Sequence, residues 1–93
     1  MYNVHGICYT WSEIKDAKLR RERSLSFLDV MSALERDDII YFGAHYDSKR
    51  QNQILLVVLI SEYPHVVPAV LTDEGFFLKT IFPSRRFKDG EKN

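Results

Sequence analysis

The stretch Ile54–Ile60, ILLVVLI, sets seven apolar residues in a row. A membrane-spanning helix needs roughly 20 such residues, so this run is far too short to cross a bilayer. It is rich in β-branched residues and lies between two polar turns, DSKRQNQ before it and SEYP after it. An apolar run of this length and composition reads as a central, buried strand. Similar segments flank it: DIIYFGAHY upstream, then HVVPAVLT and FFLKTIF downstream. Turn signals recur about every 10 to 15 residues, which predicts adjacent antiparallel strands. Pro68 interrupts HVVPAVLT and cannot donate to a ladder, so that strand is expected at an edge or with a bulge.

Upstream of residue 39 the periodicity is helical. In SLSFLDVMSALERDD, the apolar residues Phe27, Val30, Met31 and Leu34 recur at spacings of three and four, which forms one apolar face. Ser26 is placed to cap that helix, with Asp29 three positions on, close to a capping box. Ser12 is placed to cap SEIKDAKLRRER, whose acids lie in the first turn and arginines in the last, complementing the helix dipole. Only Ile14, Ala17 and Leu19 are left for an apolar stripe there. VHGICYTW precedes this helix as a short strand.

The expected fold is therefore α+β. Two N-terminal helices, near 12–23 and 26–36, pack on one face of a curved antiparallel sheet of about four strands built from residues 39–82. Phe27, Val30, Leu34, Leu56, Val58 and Ile81 are expected in the core. A chain of 93 residues forms one domain, 1–93, with residues 88–93 a frayed polar tail.

Thirteen basic and thirteen acidic residues cancel. That disfavours anion binding by the whole surface but leaves room for a local basic patch. The basic residues are clustered, at Lys18 to Arg23, at Lys49-Arg50, and at Arg85, Arg86 and Lys88. Cys8 is the only cysteine, so no internal disulfide and no cysteine-built metal site can form within one chain. With no basic-then-apolar leader at the N-terminus, a cytoplasmic setting is expected. There is no Gly-rich phosphate loop and no HExxH. His5, His45 and His65 are widely separated, so neither metal nor cofactor is expected.

KTIFPSRRF, Lys79–Phe87, sets Arg85 and Arg86 side by side at the exit of the last strand. A guanidinium fork matches two phosphate oxygens. Arg50 precedes the central strand and Lys15 lies on the first helix. Taken alone, these cations read more simply as a solvated rim. His65 reads either as a histidine bonded to backbone or as an acid–base group. Trp11 reads as a packing anchor.

The order of these motifs resembles the BrnT toxins of bacterial type II toxin–antitoxin systems, within the RelE/ParE superfamily. The matching residues are Trp11 ending a strand, Lys15 on the following helix, Ser26-Phe27, a basic residue at Arg50, HVVP with His65, and the closing PSRRF with Arg85 and Arg86. The resemblance spans residues 8 to 88. It implies a RelE-like fold and a metal-independent endoribonuclease that inhibits translation by turning the RNA 2′-hydroxyl onto the adjacent phosphate. Arg85, Arg86, Arg50 and Lys15 would stabilise charge, and His65 or Glu13 would move protons. The implied partners are RNA, free or on the ribosome, and a cognate antitoxin in a hetero-oligomer, with no membrane involved. Tyr41, Phe42, Phe76 and Phe77 are expected at the antitoxin surface. Two other readings stay open, the first of them favoured by the neutral net charge. One is a non-catalytic interaction module of this fold; the other is a toxin of the same fold with a protein target.

Overall fold

The computed structural model describes residues 1–44 and 52–86. The chain opens with a hairpin of β1 (Tyr2–Val4) and β2 (Ile7–Trp11). His5 and Gly6, at φ 51° and 84°, make its two-residue turn. Positive φ at both positions matches the twist of the flanking strands. The helices α1 (Glu13–Arg23) and α2 (Phe27–Glu35) follow, then β3 (Ile39–Ala44), β4 (Gln53–Ile60), β5 (Tyr63–Thr72), β6 (Gly75–Leu78) and the two-residue β7 (Phe82–Pro83). Among the described residues no helix is long and apolar enough to cross a membrane.

Both predicted caps form. Ser12 Oγ accepts from the Lys15 N–H at 3.2 Å. Ser26 Oγ accepts from the Leu28 N–H at 3.1 Å, while Asp29 Oδ2 accepts from the Ser26 N–H at 2.9 Å. The apolar stripe expected on α1 is corrected. Ile14 is 85% exposed and Ala17 is exposed, whereas Leu19 and Asp16 face inward. Asp16 is buried because it serves the start of α2. Its carboxylate accepts from the Phe27 N–H at 2.8 Å, Ser26 Oγ at 3.0 Å and Arg20 Nε at 2.9 Å. A buried carboxylate is tolerated only with such partners, and here they tie α1 to α2.

The sheet has more strands than expected and is mixed rather than antiparallel. Its main path runs β1-β2-β6-β5-β4-β3, and β7 pairs with β5. The parallel step is β2 against β6, with Tyr9 opposite Phe76 and Trp11 opposite Leu78. That pairing draws the N-terminal hairpin into the sheet. On β4 and β5, alternate residues Leu56, Val58, Ile60, Val67 and Ala69 join one core with Leu19, Phe27, Val30, Met31 and Leu34. Both helices therefore cover the same face of the sheet. All six predicted core residues are buried. The opposite face carries a smaller cluster of Leu55, Val57 and Val66, with Ile40 packed on it.

Two strands lie between β3 and β6, which would separate them by about 14 Å in a flat sheet. Phe42 and Phe76 nevertheless meet edge to face, with ring centroids 5.5 Å apart. Only a curled sheet brings them together. Tyr41 and Phe42 are exposed as expected, whereas Phe76 and Phe77 are half-buried.

The position of Pro68 is also corrected. Strand β5 is central, flanked by β4 on one side and by β6 and β7 on the other. Pro68 is opposite Leu55 of β4, but on the other side it falls between the segment paired with β6 and the segment paired with β7. Its carbonyl accepts from the Lys79 N–H at 2.9 Å, so this edge of the residue faces the gap. The missing N–H thus costs no ladder bond. The same gap splits the last predicted strand, FFLKTIF, in two.

Candidate functional site

The break between β6 and β7 sets up the most distinctive side-chain arrangement in the fold. After Leu78 the chain leaves the sheet, buries Ile81 completely in the core, and returns as β7. Strand β7 aligns Pro83 with His65 and Phe82 with Val66. His65 and Pro83 therefore share the helix-facing side. Above them, Ser24 adopts a left-handed conformation, φ 56°, and ends α1. That turn buries Leu25 and leaves Arg23 over the sheet edge. Arg23 Nη1 donates to the Ile81 carbonyl at 2.8 Å.

Arg23, Leu25, His65, Phe82 and Pro83 line a cavity of about 470 Å3. Its walls are mainly apolar, with two polar side chains from distant parts of the chain. His65 is only 8% exposed. Its Nδ1 lies 2.8 Å from the Tyr63 carbonyl. A carbonyl only accepts, so Nδ1 carries the proton and Nε2 is the ring nitrogen left for other work. The Tyr63 ring meets the imidazole edge-on, centroids 5.9 Å apart, and further fixes its plane. Arg23 differs from Arg20 and Arg36, which are paired with Asp16 and Asp38 at 2.9 Å. Among the described residues no carboxylate pairs with Arg23, so its remaining N–H groups are available for an anion.

Arg85 and Arg86 follow directly. The Ser84 N–H donates to the Pro64 carbonyl at 3.0 Å, which anchors the exit of β7. The next two residues take helical backbone and are exposed. Arg85 is thus two residues beyond the residue paired with His65. Lys15 lies eight residues before Arg23, about 12 Å along the helix axis, and does not line this cavity. Arg50 lies outside the described residues. Arg23 does not stand out in the sequence, because in the run KLRRER it is one more cation at a helix C-terminus. The available signal is the SL after it, a turn followed by a buried apolar residue.

A second cavity, of about 390 Å3, lies at the other end of α1, lined by residues including Tyr2, Tyr9, Trp11, Glu13 and Arg20. Trp11 is packed between Phe27, 5.4 Å away between ring centroids, and Tyr2, 6.2 Å away, so it is a packing anchor. Burial pushes the Tyr9 phenol above its ordinary pKa, so it stays neutral here. Glu13 belongs to this cavity rather than to that of His65, which separates it from the arginines. Among the described residues no three His, Cys, Asp or Glu side chains are grouped to hold a metal ion. Comparison with protein-family models, with curated proteins and with solved structures finds no significant match.

Proposed function

We propose that this protein is a BrnT-like toxin with a RelE-like fold, a metal-independent endoribonuclease that arrests translation. The observation that carries this is the convergence of His65 and Arg23 in one cavity beside the exit of Arg85 and Arg86. The chemistry follows from those groups. His65 Nε2 takes the proton of a 2′-hydroxyl; the 2′-oxygen bonds to the adjacent phosphorus; the bond from phosphorus to the 5′-oxygen breaks. The leaving 5′-oxygen takes its proton from water. The products are a 2′,3′-cyclic phosphate and a 5′-hydroxyl. Charge on the phosphoryl oxygens rises along this path. Arginine forks held in place beforehand stabilise that charge more than they stabilise the ground state. The order Trp11, Lys15, Ser26-Phe27, His65, Arg85-Arg86 and the two helices on one sheet face support the BrnT-like assignment.

The partner in this proposal is an antitoxin that covers the cavity. Exposed Tyr41 and Phe42 on β3 offer it an aromatic surface of the kind enriched at interfaces. The zero net charge of the chain favours one rival, a module of this fold that binds protein and cleaves nothing. Induced expression separates the cases. The proposal expects growth arrest with fragmented RNA, relieved by co-expression of a small DNA-binding protein from the neighbouring gene. Arrest with intact RNA would assign a protein target, and no arrest would leave a binding module.

His65→Asn is the sharpest single substitution. Asparagine keeps an N–H donor for the Tyr63 carbonyl but has no basic nitrogen. Cleavage is expected to fall about 10²-fold, the lower range for loss of a general base. The melting temperature should hold, because the buried backbone bond is replaced. Unchanged cleavage in His65→Asn would remove the imidazole from the reaction.

A further inference from the structure

We infer that the cavity of Arg23 and His65 is a subsite for one nucleotide unit, with the phosphate at the Arg23 fork and the base against the apolar wall of Leu25 and Pro83 and the rim formed by Phe82. This rests on the ribonuclease proposal for its substrate class but concerns binding, not cleavage. Three features carry it. First, the volume of about 470 Å3 falls within the usual range for small-ligand sites and suits one monomer rather than a helix or a duplex. Second, Arg23, the one arginine or lysine lining the cavity among the described residues, is held by a backbone carbonyl and not by an acid, so its charge is not cancelled locally. An arginine fixed through one nitrogen can still offer two parallel N–H groups to phosphate oxygens. Third, a bare phosphate site would be lined by donors, whereas here three of five lining residues are apolar. Phe82 is 39% exposed on a two-residue strand, at the rim and not in the core. A large apolar side chain exposed beside a cation suits a base, which brings an apolar face and a phosphate together.

The subsite also explains the geometry of β7. Pro83 is opposite His65 and offers no N–H, so it forms an apolar floor with no unsatisfied donor. Phe82, one residue earlier, aligns with Val66 of the opposite face and reaches the cavity only at its rim.

The experiment is a nuclear magnetic resonance titration of the intact chain with adenosine and uridine 5′-monophosphates, ribose 5-phosphate and inorganic phosphate. The expected result is that the nucleotides shift the His65 ring and the Leu25 and Phe82 signals. They should bind about tenfold more tightly than ribose 5-phosphate, the increment of one stacked base. Phe82→Ala should erase that difference while leaving ribose 5-phosphate binding unchanged. Arg23→Lys keeps a donor for the Ile81 carbonyl but loses the fork, and should weaken nucleotides and ribose 5-phosphate alike by about tenfold. Equal binding of nucleotide and ribose 5-phosphate would overturn the base site. Shifts confined to Arg85 and Arg86, or no binding at all, would overturn the subsite. Nucleotide binding in a chain that cleaves no RNA would uphold the subsite and end the catalytic proposal. Cleavage without nucleotide binding here would do the reverse.

Discussion

The Arg85→Ala, Arg86→Ala double variant is expected to lose RNA cleavage by at least about 10³-fold and to stop arresting growth. Loss of one preorganised donor to developing charge typically costs about 10²–10³ in rate, and two adjacent guanidiniums leave together here. The fold should survive. Both residues are exposed beyond β7, and a surface cation contributes about 0–1 kcal/mol. With a typical half of that for each of the two, the melting temperature should shift by less than about 8 °C. The Arg→Lys pair should recover part of the rate, since lysine keeps the charge but not the fork. Glu35→Ala, exposed at the end of α2, is the control and should change nothing. Full toxicity in the double alanine variant would return both arginines to the solvated rim. Loss of toxicity with a collapse in melting temperature would make them structural.

Gly75→Ala is expected to cost the most stability of any glycine-to-alanine change among the described residues. Gly75 opens β6 at φ 141°, a backbone that L side chains rarely adopt. A Cβ there would overlap the Cys8 carbonyl oxygen and come within 3.0 Å of its carbon. Both atoms are backbone of β2, the parallel neighbour, so neither can swing aside. Overpacking of this kind costs about 1–3 kcal/mol and a strained backbone about as much again. The sum, about 2–6 kcal/mol, is a large share of the roughly 5–15 kcal/mol that holds a small domain together. Thermal melting should fall by more than about 8 °C. Gly6→Ala is the comparison. Gly6 also has positive φ, 84°, but a methyl there would meet nothing within 4 Å, so only about 1 kcal/mol of left-handed strain applies. Equal melting of the two variants would mean that β2 and β6 do not meet as described.

The parts of this fold legible in sequence are those set by local chemistry. Ser12 and Ser26 mark both helix starts because a cap needs a short side-chain oxygen followed by a free N–H. Phe27, Val30 and Leu34 mark the core because a helix presents every third or fourth residue to one side. The unbroken apolar run of β4 is likewise local. The rest depends on partners distant in the chain. The parallel match of β2 with β6 joins residues 9–11 to 76–78, and no periodicity reports that. Pro68 reads as an edge marker, yet it is tolerated in a central strand because the neighbouring strand breaks beside it. Asp16 reads as a dipole complement in the first turn of α1, and its burial depends on where α2 begins.

The candidate site divides along the same line. His65, Arg85 and Arg86 are singled out by the resemblance to BrnT toxins; taken alone they read as a backbone-bonded histidine and a solvated rim. The structure sets His65 beside Pro83, at the exit toward the two arginines. Arg23 is hidden among like-charged neighbours. Its role follows from a left-handed Ser24 and from the Ile81 carbonyl, 58 residues away in the chain. Lys15 groups with the arginines through the same resemblance, and the helix axis carries it away from the cavity.

The central claim is tested most directly by the ends left on cut RNA. The purified chain is incubated with a labelled RNA in excess chelator, and the products are resolved and their termini identified. A 2′-hydroxyl attack assisted by His65 and the arginines predicts cleavage that persists in chelator, leaving 2′,3′-cyclic phosphate and 5′-hydroxyl ends. Intact RNA, or cleavage that stops with chelator and leaves 3′-hydroxyl and 5′-phosphate ends, would contradict it.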